Sequence, residues 1–203
     1  MIRFLALVGL LVLVTGCTVA PPVAALDRSG YTGGTALAEP YAMPDLSLVD
    51  TAGRPYNVAT SPSKPVTLLF FGYTHCADVC VAVLADLARS LQGLDPADRD
   101  QIQVIFVTTD PGRDRSGQIR SYLDRFDPSF VGLTGDLSDI VALADRVGVD
   151  IQRMRKLPSG GYAVAHSAQV IGFSRTSGVV IWTEQTPIAS LKHDFALLVQ
   201  RSV

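Results

Sequence analysis

Apolar residues follow two rhythms along this chain. From Val66 to Tyr73 and from Ile102 to Thr108 they run almost unbroken and are rich in β-branched and aromatic types, which predicts short strands buried on both faces. Residues 45–50 alternate instead, turn at Thr51–Arg54 and resume over 55–58, the pattern of a β-hairpin. Elsewhere the period is helical. Val83, Leu84, Leu87 and Leu91 predict a helix over 81–91, and Ile119, Tyr122, Leu123 and Phe126 predict another over 113–126. Leu137, Ile140, Val141 and Ala144 mark a third over 137–147, and residues 188–200 close the chain as a fourth. A brief strand is expected at 130–133, and residues 162–173 and 179–183 read as a hairpin around Arg175–Gly178. Strands alternating with helices, then a hairpin and a last helix, predict an α/β fold whose central sheet is covered by helices on both faces.

The first forty residues lack this patterning. Arg3 followed by apolar and small residues from Phe4 to Val14 reads as an export signal over 1–16, too short for the roughly 20 apolar residues of a membrane helix. Val14-Thr15-Gly16-Cys17 resembles the lipobox of bacterial lipoproteins. That resemblance implies lipid on Cys17 and a chain anchored at the extracytoplasmic face of the cell membrane. Thr18 to Pro40 is rich in Ala, Pro, Gly, Thr and Ser, so 17–40 is expected to be a lipidated cysteine plus a flexible tether reaching roughly 25 to 30 Å. The folded domain is then expected over 41–203.

Composition narrows the function. The chain has 203 residues, 48% of them hydrophobic, enough for one buried core. A formal charge of -2 with no basic run argues against nucleic-acid binding, which needs clustered Lys and Arg to neutralise phosphates. Of three cysteines, assigning Cys17 to lipid leaves one matched pair, Cys76 and Cys80. Export would place that pair where oxidation is the default.

The pair sits between a predicted strand and a predicted helix, where backbone N–H groups and the helix dipole stabilise thiolate, the reactive and metal-binding form. Helical spacing from Val79 onward would put both sulfurs on one face, with Cβ atoms about 5 to 6 Å apart. Such a pair can close into a disulfide or grip a soft metal. Asp78, between them, is expected at the helix N-terminus. Asp110, at the end of the second long strand, suits either a turn or a docking loop at the sheet edge.

Phe71-Gly72-Tyr73-Thr74-His75-Cys76-Ala77-Asp78-Val79-Cys80 resembles the core motif of the SCO/SenC family of copper-delivery proteins. Asp110-Pro111-Gly112-Arg113-Asp114 resembles that family's second motif, and His166-Ser167 falls where its distant histidine lies. The resemblance implies a thioredoxin-like fold with an N-terminal β-hairpin extension. It further implies copper, as Cu(I) or Cu(II), held by Cys76, Cys80 and His166. Delivery to, or preparation of, the binuclear copper site of cytochrome c oxidase subunit II would follow, making the chain a metallochaperone rather than an enzyme. Other extracytoplasmic copper proteins, copper chaperones and thiol reductants are further implied partners. Two thiolates and an imidazole suit both copper oxidation states, and three protein ligands leave the shell open for transfer.

His75 belongs to the motif without being a ligand in this family, and His193 in the last helix is expected to be a solvated surface residue. The chain departs from the family at Ala77 and Val81, usually proline, and at Ala165, commonly acidic; an acidic neighbour can support a metal-bound histidine. The rival reading is an extracytoplasmic thiol-disulfide oxidoreductase in which Cys76 attacks and Cys80 resolves. Such enzymes usually carry Cys-x-x-Cys and a proline where Ala165 stands. A thiol peroxidase would place Thr three residues before its cysteine, whereas Thr74 is two before Cys76. A purely structural disulfide closing so short a loop would gain little stability.

Overall fold

The computed structural model describes residues 29–156, 162–166 and 168–203. In chain order its elements are β1 (Thr35–Ala42), β2 (Ser47–Asp50), β3 (Pro55–Asn57), β4 (Val66–Gly72), α1 (Val79–Gln92), α2 (Pro96–Arg99), β5 (Ile102–Thr108) and α3 (Ser116–Leu123). There follow β6 (Val131–Thr134), α4 (Leu137–Arg146), β7 (Ile151–Lys156), β8 (Tyr162–His166), β9 (Gln169–Ser174), β10 (Ser177–Thr183) and α5 (Ile188–Ser202). Eight strands form one sheet in the order β1-β10-β9-β4-β5-β6-β2-β3, and β7 pairs with β8 in a second, two-stranded sheet.

The two apolar runs lie at the centre because every one of their alternate positions finds a buried face. Val66, Leu68 and Phe70 of β4 pack with Ile102, Val104 and Phe106 of β5 against α1, α3 and α5. Leu69 and Phe71 point the other way with Ile105 and Val107, onto Ile140, Leu143 and Ala144 of α4 and Leu48 of β2. A strand with both faces covered has no place for alternation, which is why these segments read as continuous apolar runs.

Three expectations change. The hairpin at 162–183 is two separate features: β9 pairs with β10, whereas β8 turns away to pair with β7, Ile151 opposite His166. Helix α3 is shorter than expected, because residues 110–115 form a hydrogen-bonded turn before it starts. The tether expected to run through Pro40 instead gives way to folded structure, since β1 pairs with β10 from Thr35 onward.

A buried carboxylate fixes that entry point. Asp194 of α5 is fully buried and accepts the N–H groups of Thr32, Gly33 and Gly34 at 2.7, 3.0 and 2.8 Å, with the indole N–H of Trp182 at 2.9 Å. Gly33 is needed for this approach, since a Cβ there would fall 2.5 Å from Thr186 Cγ2. Burial alone would raise the pKa of Asp194, but the bonds from Thr32, Trp182, Gly33 and Gly34 outweigh it and hold the carboxyl below its ordinary value. A group lowered in this way stabilises the fold above the ordinary carboxylate pKa, and the contribution disappears as pH falls through the native value. Asp194→Asn is therefore expected to cost about 1–3 kcal/mol at neutral pH, read by urea unfolding. The gap from wild type should close on acidification; a gap independent of pH would show that the charge is not what matters.

Candidate metal centre

β4 and β5 run parallel with Gly72 opposite Thr108, so the loops that follow them leave the same carboxyl edge of the sheet. Ligand sites form at this edge in open α/β sheets. Thr109 stitches the two loops together, its N–H donating to the Gly72 carbonyl at 2.7 Å and its hydroxyl to the same oxygen at 3.2 Å.

Cys76 lies in the loop before α1 and Cys80 in its first turn, and both carry thiols. The backbone N–H of Cys80 donates to Cys76 Sγ at 3.3 Å. Asp78 is the N-cap residue, but its side chain makes no capping bond. The sulfur of Cys76 thus receives an N–H at the positive end of the helix, an environment that favours sulfur bearing negative charge.

The two sulfurs differ in access. Cys76 is partly exposed, whereas Cys80 is fully buried. Gly72 makes room for Cys80: a Cβ there would lie 2.8 Å from Phe106 Cε2, 3.1 Å from Cys80 Sγ and 3.2 Å from Phe70 Cε1. The hydrogen bond with the Cys76 side chain and burial push the Cys80 thiol up, against an opposing bond from the Tyr73 backbone. Cys76 is the accessible member of the pair and Cys80 its buried floor.

The loop is braced from behind by Asp114, itself fully buried. Its carboxylate accepts the Thr74 N–H at 2.8 Å, the Thr74 hydroxyl at 2.5 Å and the Thr108 hydroxyl at 2.6 Å. Since the Thr74 hydroxyl gives its proton to Asp114, the contact of His75 Nδ1 with Thr74 Oγ1 at 3.2 Å requires that Nδ1 donate. Nδ1 also lies 3.5 Å from Asp114, so this ring nitrogen is engaged in the bracing network.

The sequence profile described as SCO1/SenC matches residues 35–193. The chain belongs to the SCO1/SenC family. A Stutzerimonas stutzeri protein whose name refers to copper binding is 32% identical over 165 residues, covering 80% of this chain and 79% of that protein. The solution structure of apo Sco1 from Thermus thermophilus aligns with a TM-score of 0.72 at 31% identity, over 86% of this chain and 99% of that one. Bradyrhizobium japonicum ScoI, solved with copper bound, aligns with a TM-score of 0.66 at 28% identity, over 83% and 100%. This chain spans about half the length of the yeast and mouse mitochondrial relatives it matches. The thioredoxin-like fold with its β2–β3 hairpin extension follows from these likenesses and the sheet order.

Within this SCO1/SenC domain, Cys76 and Cys80 are brought together as expected. The His166 backbone is on β8, while its side chain, like Cys17, lies outside the described residues. His193 is exposed, with Nε2 at 3.2 Å from the Gly30 carbonyl. Asp110 proves to be a turn former: it is fully buried, its carbonyl accepts the N–H groups of Arg113 and Asp114, and its carboxylate holds Arg113 Nε. Three contributors were not singled out by sequence reasoning, namely Gly72, Thr108 and Asp114. Gly72 and Asp114 stand inside the two motifs that resemble the family's, which is the signal that marks them.

Proposed function

We propose that the chain is a copper carrier of the extracytoplasmic membrane surface, holding copper through Cys76, Cys80 and His166. It would deliver the metal to the binuclear copper site of cytochrome c oxidase subunit II, or prepare that site. The observation that carries this reading is the thiol pair itself, one sulfur at the surface at a helix N-terminus and one directly beneath it. Two soft thiolates favour copper(I), and an imidazole adds a donor that also suits copper(II). Among the described residues no three His, Cys, Asp or Glu side chains form a metal cluster, and the reading assigns the third donor to His166. With three protein donors, a partner's ligand can enter before the carrier releases its cargo. The copper bound in the Bradyrhizobium structure supports this assignment. Lipid on Cys17 would keep the domain beside membrane-embedded oxidase.

The test is copper titration of the mature chain. His166→Ala is expected to weaken copper(I) binding by at least about tenfold and to abolish a thiolate-to-copper(II) charge-transfer band. Unchanged affinity and spectrum would remove His166 from the site.

The same asymmetry of the sulfurs favours a second reading, reduction of a partner disulfide. Cys76 thiolate would attack one partner sulfur and expel the other as a thiol; Cys80 would then attack Cys76, releasing the second partner thiol and leaving this chain oxidised. Reductase activity that survives His166→Ala but is lost in Cys76→Ser would establish that chemistry.

A further inference from the structure

Beside the thiol loop lies a cavity of about 900 Å³, open to solvent and walled by Thr74, His75, Arg113, Arg115, Tyr122 and Arg125 among others. Its charge is opposite to that of the chain as a whole, which carries a formal -2. No carboxylate is among the described residues that line it. Asp110 and Asp114 are fully buried behind the wall, and the exposed Asp124 beside Arg125 is paired with Arg120. Asp110 offsets the charge of Arg113, but Arg115 and Arg125 are exposed, and neither has a carboxylate within salt-bridge distance among the described residues.

Arg125 is held in place rather than free to swing. The Arg125 guanidinium lies 4.6 Å from the centre of the Tyr122 ring and 5.7 Å from that of Phe126, and its Nε donates to the Tyr122 carbonyl at 3.4 Å. Stacking of this kind lowers the entropy lost when a guanidinium engages an anion. The Tyr122 ring beneath it is only 4% exposed, so it is a fixed platform for the guanidinium.

We propose that this groove docks an acidic segment of the partner protein that meets the thiol pair. The proposal rests on the reading of the pair as an exchange site. Thr74 and His75 belong both to the groove wall and to the loop that carries Cys76, so a segment seated among the arginines is delivered beside the accessible sulfur. Carboxylates match guanidinium forks bidentately. A lipid headgroup in the same place would cover the loop that a protein ligand must reach, which favours a protein occupant over the membrane surface.

The experiment is fluorescence anisotropy of a labelled, alternating Glu-Gly peptide added to the copper-free chain. The peptide is expected to bind, to weaken as salt is raised, and to lose at least about tenfold in affinity with the double substitution Arg115→Glu, Arg125→Glu. Copper(I) affinity of the same double variant should equal that of wild type, which separates docking from metal binding. Failure of the peptide to bind, equal binding of a Lys-Gly peptide, or indifference to the charge reversals would overturn the proposal. So would binding of phosphatidylglycerol vesicles through these arginines where the peptide does not bind. Failure of the wild-type chain to bind copper(I) would instead remove the exchange reading, whatever the peptide does.

Discussion

Replacing Asp114 by alanine is expected to lower the unfolding free energy by about 3–5 kcal/mol and to weaken copper(I) binding about 10- to 100-fold. The carboxylate is fully buried and accepts from the Thr74 N–H, the Thr74 hydroxyl and the Thr108 hydroxyl. Alanine would take the acceptor from the fully buried Thr108 hydroxyl and from the two half-buried Thr74 donors, and a donor left buried and unpaired costs about 1–3 kcal/mol. The same bonds tie the loop that bears Cys76 to the end of β5. Without them the loop need not hold Cys76 above Cys80, so part of the ordering must come from the binding energy of copper. Urea unfolding reads the first effect, and competition with a copper(I) chelator reads the second. Asp114→Asn retains a carbonyl acceptor and should lose less of both. Reduced stability with wild-type copper affinity would show that the network supports the fold but not the site.

Legibility in the sequence follows how far each feature depends on local pattern. The central strands β4 and β5 announce themselves because burial on both faces leaves an unbroken apolar run, and the helices α1, α4 and α5 because each has one buried stripe. Edge strand β1 carries no such signal: Thr35–Ala42 contains Glu39 and Pro40 and is exposed or half-buried throughout, so its strand identity comes from pairing with β10. Strand β7, Ile151–Lys156, is rich in polar residues and is defined by its partner β8. The cysteine pair was legible because spacing and flanking pattern already place it at a strand-to-helix junction. Asp114 was not, since Asp110 and Asp114 read alike until the turn shows one holding Arg113 and the other holding the cysteine loop. The arginine groove is equally silent in sequence, because Arg113, Arg115 and Arg125 are scattered along a segment whose net charge is unremarkable and converge only through the turn before α3 and the residues just after it.

The two cysteines should prove unequal in reactivity yet equally necessary for copper. Cys80→Ser is expected to reduce copper(I) affinity by more than about 100-fold, since even removing a residue that only supports a ligand typically costs 10- to 100-fold. Cys76→Ser should do the same. Alkylation will separate them. Cys76 is partly exposed and receives an N–H from the start of α1, whereas Cys80 has no exposed surface and its thiol is pushed up by its bond to Cys76 and by burial. Thiolate is the species that alkylates, so iodoacetamide should label Cys76 first in the reduced wild-type chain. Cys80→Ser should keep a rapidly labelled thiol, and Cys76→Ser a slowly labelled one that becomes fully reactive in urea. Mass spectrometry of the tryptic peptides reads the order directly in the wild type. Equal labelling of both sulfurs in the folded chain would mean that Cys80 is not the enclosed floor of the site, and the division into an accessible sulfur and a buried one would fall with it.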